Sequence, residues 1–280
     1  MTSTQFYTNR RKRALIVQSG GGFSQAENSL GALRALAEIG VPVNDANAVD
    51  YRCTSAGALT AGLMMGGLTP LKAIAVVRDN PTDTLVHRKF CWPIRMFFGD
   101  RCVYDRSGLE ALMCKYIPLD DIPNLQVSVT RIRRMQNDII PGNYRSILAS
   151  SSIDRIFPRT RLDREWYMDG GYTDNVPLEP WRIEQYRSVF IVLYPEDPND
   201  IRHQHTAIGK LLQGFNAKLS QEVGEAARIY NDPVHYPTVT VLRPSPYTCS
   251  LLSWSHDFRL LNHSYKNAIQ VLKARYPNGF

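Results

Sequence analysis

The chain has 280 residues, of which 44% are hydrophobic and 21% charged, and its 33 basic and 26 acidic residues give a formal net charge of +7. This composition excludes a disordered chain, a collagen-like fibre and a coiled coil. The sequence contains no run of 18 apolar residues, so a transmembrane helix is not predicted. Because no linker stands out in a chain of this length, we predict a single domain over residues 1–280.

The cysteines and the N-terminal residues bear on the compartment. The five cysteines are an odd number without C-x-x-C spacing, so they predict neither a zinc site nor a disulfide framework. Basic residues at 10–13 precede an apolar run that covers only 14–17, which is too short for a secretory signal. We therefore expect a cytoplasmic protein. Neither a metal nor a cofactor is expected. The net charge fits either a surface for anionic partners or solubility alone.

Strand-like and helix-like segments alternate along the chain, and this alternation predicts an α/β fold. The apolar patterns place strands at 13–18, 49–53, 125–130, 165–168, 188–193 and 238–242. They place helices at 28–39, 56–65, 70–78, 107–116, 206–230 and 257–275.

A glycine run follows the first predicted strand. After Ser19 come Gly20, Gly21 and Gly22, where backbone N–H groups can turn toward one ligand with no Cβ in the way. Close to a helix N-terminus, such a loop can bind an anion. It is not a Rossmann loop, because Gln25 stands where that pattern needs glycine, and the Gly-Lys-Ser/Thr of a P-loop is absent.

The second motif is Cys53-Thr54-Ser55-Ala56-Gly57, in which a short strand turns into a helix of small residues. This is the context of a nucleophile elbow, which presents a serine hydroxyl to a substrate carbonyl. The Ala56 N–H at the helix start can stabilise an oxyanion. By itself the segment also fits an ordinary helix N-cap.

The third motif is Asp169-Gly170-Gly171 at the end of a predicted strand. Ligands of open α/β sheets bind where strands end. An Asp-Gly turn without a functional role is the alternative interpretation.

Together the three motifs resemble the patatin-like phospholipase family, specifically its bacterial-type acyl hydrolases. Their order and spacing match, an Ala-Ser segment at 147–152 precedes the acidic motif, and Asn175 and Pro177 follow it. The resemblance covers roughly residues 13–195, and 196–280 are predicted to complete the fold with helices and a strand. It implies a three-layer α/β/α architecture with a mainly parallel central sheet.

The resemblance also implies a mechanism and a substrate class. Ser55 would be the nucleophile and Asp169 the base of a Ser–Asp dyad, and the oxyanion hole would comprise Gly20, Gly21, Gly22 and Ala56. Cys53, Gly57, Gly170 and Gly171 would support the elbow and the acidic motif. The expected substrate is a phospholipid, a lysophospholipid or another acyl ester.

Two departures from the family pattern both affect the oxyanion region. The family loop usually continues with a basic residue and a fourth glycine, and this chain has Phe23-Ser24-Gln25 there instead. Cys53 takes the place of the first glycine of G-x-S-x-G. A non-catalytic lipid-binding protein of the same fold is therefore one alternative, and an acyltransferase that uses the same site is another. A Ser…Asp…His triad is a third, because several of the six histidines follow Asp169.

Partner predictions rest on basic segments. Residues Leu85–Phe98 mix Arg and Lys with Phe, Trp, Ile and Met, so this stretch could contact an anionic membrane peripherally or pack on the core as a lid. Arginines at 155, 159, 161 and 164 could line a headgroup region or be solvated. Nucleic acid is not expected as a partner, because no recognition motif surrounds Arg131, Arg133 and Arg134. The oligomeric state is left open.

Overall fold

The structure is a computed structural model that describes residues 13–89, 102–194, 207–244, 252 and 254–280. The strands are β1 (Ala14–Gln18), β2 (Val49–Thr54), β3 (His87–Arg88), β4 (Tyr104–Asp105), β5 (Ile122–Arg131), β6 (Gln136–Gly142), β7 (Thr160–Leu162), β8 (Glu165–Asp169), β9 (Ser188–Val192) and β10 (Val239–Leu242). The α-helices are α1 (Gly22–Glu38), α2 (Ala56–Met65), α3 (Pro70–Arg78), α4 (Thr82–Leu85), α5 (Ser107–Tyr116), α6 (Tyr144–Ser150), α7 (Pro180–Ile183), α8 (Ala207–Tyr230) and α9 (Arg259–Arg275).

Within the described residues, eight strands form one sheet in the order β10–β9–β1–β2–β5–β8–β7, with β6 paired to β5 outside this path. The strands from β10 to β5 run parallel, whereas β6, β7 and β8 pair antiparallel. Every residue of β1, β2 and β9 is buried. Since alternate residues of a strand point to opposite faces, helices cover both faces of the sheet. The predicted fold class, a mainly parallel sheet between helical layers, is confirmed.

Strand β5 brings the ends of β2 and β8 together. Most of one edge of β5 pairs with β6, so β2 and β8 share the opposite edge. The pairing with β2 ends at Thr54 opposite Ser128, and the pairing with β8 begins at Asp169 opposite Val129. Ser55, which follows Thr54, therefore emerges from the sheet beside Asp169.

Helix α1 differs most from its sequence prediction. It begins at Gly22 rather than at residue 28. Its first turns bury polar side chains, and Asn28 Nδ2 donates a hydrogen bond of 2.8 Å to the Leu193 carbonyl just beyond β9. Apolar periodicity cannot detect a buried helix face that is polar. The helices predicted at 56–65, 70–78 and 107–116 have the predicted bounds.

The chain after residue 195 also contributes to this sheet and its helical layers. Strand β10 pairs with β9, and helix α9 packs on α1. In the part of the chain that the structure describes, no helix combines the length and apolarity required to cross a bilayer.

Gly57 allows α2 to pack directly on β1. A Cβ at this position would lie 2.6 Å from the Gln18 Cβ and 2.8 Å from the carbonyl oxygens of Gln18 and Ser19. We expect Gly57→Ala to lower the free energy of unfolding by about 1–3 kcal/mol, measured by denaturant titration. Gly224→Ala in α8 is the control, because nothing lies within 4 Å of its new Cβ, and it should be neutral or stabilise by up to about 1 kcal/mol. Equal stabilities of the two variants would contradict this packing.

Candidate active site

Ser55 occupies a strained turn between β2 and α2. Its φ of 53° and ψ of −121° are rarely adopted by a residue with a side chain, and such a conformation costs on the order of 1–3 kcal/mol. The Ser55 N–H donates a 2.7 Å hydrogen bond to Ser150 Oγ, which in turn donates to the Ser128 carbonyl at 2.7 Å. The turn is therefore tied to both α6 and β5, and it directs the Ser55 hydroxyl toward the end of β8.

The Ser55 hydroxyl donates a hydrogen bond to Asp169. The distance from Ser55 Oγ to Asp169 Oδ2 is 2.7 Å. The second carboxylate oxygen, Oδ1, accepts the Gly171 N–H at 2.8 Å, which fixes the plane of the carboxylate. Asp169 is fully buried and Ser55 is 5% exposed. The two residues that the sequence places 114 positions apart thus form one hydrogen-bonded pair.

Burial determines the protonation of Asp169. It raises the pKa of the carboxyl to about 7, although the hydrogen bonds from Ser55 and from the Gly171 N–H, together with the charge of Lys218, act in the opposite direction. An ordinary aspartate has a pKa of about 3.9 and is a weak base at neutral pH. Asp169 is therefore suited to accept a proton near pH 7.

The glycine loop passes directly beside Ser55. A Cβ on Gly20 would lie 3.0 Å from the Ser55 Cβ. The Gly20 N–H, however, donates a 2.8 Å hydrogen bond to Asn175 Oδ1 and is not free for an oxyanion. Gly21 and Gly22 have φ of 154° and 63°, a region that favours glycine. Among the described residues, the N–H groups of Gly21, Gly22 and Ala56 have no hydrogen-bond acceptor.

These three N–H groups lie at the starts of two helices. Gly21 and Gly22 begin α1, and Ala56 begins α2 directly after Ser55. The first N–H groups of a helix lack intrahelical acceptors and carry partial positive charge. Because Ala56 follows Ser55 directly, its N–H can stabilise negative charge on an oxygen bound next to Ser55, and the N–H groups of Gly21 and Gly22 belong to the loop that passes beside this serine.

The other predicted support residues fill tightly packed positions. A Cβ on Gly170 would lie 2.3 Å from the Ser128 carbonyl oxygen, and one on Gly171 would lie 2.7 Å from Leu219 Cδ2. Cys53 is fully buried in the core, and burial raises the pKa of its thiol far above the ordinary value. Cys53 therefore acts as a core residue and not as a second nucleophile.

Two residues of α8 that were not predicted from the sequence contact the site. Lys218 Nζ donates to the Gly171 carbonyl at 3.1 Å and forms an ion pair with Glu222. Glu222 Oε2 accepts the Asn175 N–H at 2.7 Å. The pair thus links the Asp-Gly-Gly segment to the asparagine that holds Gly20. The only sequence signal was an i,i+4 Lys–Glu spacing, which is typical of any solvated helix face.

In the described structure, the Asp169 carboxylate accepts hydrogen bonds from Ser55 and Gly171, and no histidine bonds to it. His87 is exposed, and the exposed His235 ring pairs with Asp232. His203 and His205 lie outside the described residues. The residues that the structure describes contain no group of three or more His, Cys, Asp or Glu side chains that could hold a metal ion.

Only the start of the predicted membrane-contact segment, Leu85–Phe98, can be described. Leu85 and Val86 are buried in the hydrophobic core, and the strand that follows pairs with β4. Residues 90–98 lie outside the described residues, so membrane contact through them stays a prediction.

Comparison with known proteins agrees with this geometry at the level of the fold. No family model matches the chain, and no curated protein matches it by sequence. Among solved structures, it is similar to VipD from Legionella pneumophila, with a TM-score of 0.51 and 16% sequence identity, over 94% of this chain and 67% of VipD. The two share an α/β fold with a mostly parallel sheet flanked by helices, and this structural neighbour is patatin-like. A similarity at 16% identity concerns the fold alone, so the roles of individual residues rest on their geometry.

Proposed function

We propose that the protein is a serine acyl hydrolase of carboxylic esters, with Ser55 as nucleophile and Asp169 as base. The observation that carries the proposal is the 2.7 Å hydrogen bond from the Ser55 hydroxyl, on a strained strand-to-helix turn, to a buried carboxyl with a pKa of about 7. A nucleophile bonded to a base that is itself oriented is the arrangement that covalent acyl transfer requires. Here Gly171 orients the base through its N–H.

In the first step, Ser55 Oγ attacks the ester carbonyl carbon while its proton moves to Asp169 Oδ2. The carbonyl oxygen becomes an oxyanion, which the free N–H groups of Gly21, Gly22 and Ala56 stabilise. The loss of one such donor typically costs about 3 kcal/mol of barrier. The tetrahedral intermediate collapses when Asp169 returns the proton to the leaving alcohol, and an acyl-enzyme remains on Ser55.

In the second step, a water molecule enters the position that the alcohol has left and attacks the acyl-enzyme. Asp169 takes a proton from the water as its oxygen attacks the acyl carbon, and the fatty acid leaves as the proton returns to Ser55 Oγ. One carboxyl thus alternates between base and acid, which is efficient when its pKa is close to the working pH. This cycle requires no histidine.

A lipid ester is the substrate class that we favour. The support is the patatin-like fold, because VipD carries a patatin-like phospholipase domain. The test is incubation with defined phospholipids and lysophospholipids, with fatty acid measured as product. An added acceptor alcohol distinguishes transfer from hydrolysis: free fatty acid as the main product supports the hydrolase, whereas acylated acceptor as the main product supports the acyltransferase.

The pH dependence of ester hydrolysis should follow the titration of Asp169. Because the carboxylate is the active form, kcat/KM should rise with pH and level off above an apparent pKa of about 7. Lys218→Met removes a positive charge that favours the carboxylate, so its midpoint should move to higher pH. Arg228→Met, an exposed site on the same helix, is the control and should leave the midpoint unchanged. A Lys218→Met profile with an unmoved midpoint would show that Lys218 does not tune the base.

A further inference from the structure

Two hairpin turns extend side by side beyond the carboxyl end of the parallel strands. Strand β5 continues past the level of Thr54 and turns into β6 through residues 132–135. Strand β7 turns into β8 through residues 163–164, and the Ile132 N–H donates to the Trp166 carbonyl. The two turns are therefore neighbours, and we call residues 132–135 and 161–166 the hairpin tip.

The hairpin tip is basic and exposes large apolar side chains. Arg133, Arg134, Arg161 and Arg164 are exposed, and in the described structure none of their guanidinium groups forms an ion pair. Asp163 and Glu165 are the acidic residues within the tip, so its formal charge is four minus two, or +2. Two of the exposed large hydrophobic residues are also here: Met135 is 55% exposed and Trp166 is 50% exposed.

The tip lies at the end of the sheet that holds Ser55. Strands β1, β2 and β5 are parallel, and the glycine loop, the Ser55 turn and the tip all follow the carboxyl ends of these strands. Strand β8 runs from the tip directly to Asp169, with Trp166 and Asp169 three positions apart. A surface that contacted the tip would therefore face the same end of the molecule as the Ser55–Asp169 pair.

We infer that the hairpin tip docks on an anionic lipid surface, an inference that rests on the proposed lipid hydrolase function. Arginine guanidinium groups bind lipid phosphates, and each basic residue near an anionic membrane contributes about 1 kcal/mol of attraction. Trp prefers the membrane–water interface, where its ring is buried and its N–H is solvated. An arginine cluster beside an exposed Trp and Met matches this boundary, and docking there presents lipid to the catalytic end of the sheet.

The test measures binding to vesicles that contain phosphatidylserine, in wild-type protein and in Arg133→Glu/Arg134→Glu. Reversal of two charges should weaken binding at least tenfold, and high salt should weaken the wild-type interaction. Arg187→Glu/Arg275→Glu makes the same charge change near the amino end of the sheet and should bind like the wild type. Trp166→Ala should weaken binding with little change in its salt dependence.

Thermal unfolding establishes that each variant is folded, and Arg161→Glu/Arg164→Glu repeats the test on the second hairpin. An equal loss of binding in the tip variants and the amino-end control would contradict the inference, since net charge alone would then explain it. Preference for a nucleic acid over vesicles would also contradict it. Ser55→Ala protein should bind vesicles like the wild type, so absent docking and absent catalysis are distinguishable: a wild type that hydrolyses a dissolved short-chain ester but binds no vesicles rejects the docking surface alone.

Discussion

Ser55→Ala should abolish the hydrolysis of a soluble short-chain ester, with a fall in kcat on the order of 10⁵–10⁶-fold, because removal of a serine nucleophile elsewhere has an effect of this size. The substitution removes the atom that forms the acyl-enzyme and leaves the backbone donors of Gly21, Gly22 and Ala56 in place. Any residual rate should therefore come from binding and oxyanion stabilisation alone. The measurement is steady-state hydrolysis with highly purified protein.

Ser151→Ala is the matched control for this experiment. Ser151 is half-buried, and its hydroxyl donates to the Ile147 carbonyl within α6 rather than to a site residue. Its loss should leave kcat within about twofold, because its hydroxyl bonds to no residue of the site and substitutions away from such features have small effects. The thermal midpoint of Ser55→Ala should stay close to that of the wild type. Near-normal turnover in Ser55→Ala would show that the hydrolysis has another nucleophile.

Asp169→Asn should lower kcat by roughly 10²–10⁴-fold, the usual contribution of a general base. The amide has the same shape as the carboxyl: its oxygen can still accept the Gly171 N–H, but its NH₂ group then donates to Ser55 Oγ. Ser55 keeps its position and loses the group that removes its proton. The pH dependence near 7 should disappear together with the titrating carboxyl, and activity that keeps this dependence would assign it to another residue.

The same variant should be more stable than the wild type at alkaline pH. Burial raises the pKa of Asp169 to about 7 in the folded protein, against about 3.9 when unfolded. The folded state therefore binds more protons between pH 4 and 7, and stability falls as the pH rises through this window. Asparagine does not titrate, so Asp169→Asn should gain up to about 4 kcal/mol at pH 8 and little at pH 4. Denaturant titration at both pH values measures this difference.

The buried base and the strained serine each lower the stability of the folded protein, and a segment with a purely structural role has no need of either. The φ of 53° at Ser55 disfavours folding, and so does an ionised Asp169 in the core. Functional sites are where such unfavourable features concentrate. Greater stability of Asp169→Asn combined with loss of activity would be the expected sign of this trade-off.

Features that depend on local sequence were predictable. The turn from β2 into α2 follows from small residues after a short strand, and the bounds of α2 are those predicted. The glycine loop was predictable because its backbone needs a φ that residues with a side chain rarely adopt, as at Gly21, so consecutive glycines mark it in the sequence. The proximity of Ser55 and Asp169 came instead from the family resemblance, because strand pairing between distant segments is not encoded in either segment.

Features that depend on tertiary pairing were missed. Strand β6 is partly exposed and rich in polar residues, and it is ordered by its pairing with β5. The contacts of Lys218 and Glu222 with the site depend on where α8 packs, which its own pattern does not reveal. The engagement of Gly20 by Asn175 is of the same kind, because a consecutive glycine run cannot indicate which N–H is already bonded.

The most direct test of the Ser55–Asp169 pair is covalent labelling with a fluorophosphonate, followed by intact mass and peptide mapping. We predict one adduct per chain, located on Ser55, with a labelling rate that rises with pH through about 7 and falls strongly in Asp169→Asn. A folded protein that stays unlabelled, that is labelled at another residue, or that reacts equally fast without the Asp169 carboxyl would contradict the assignment of this pair.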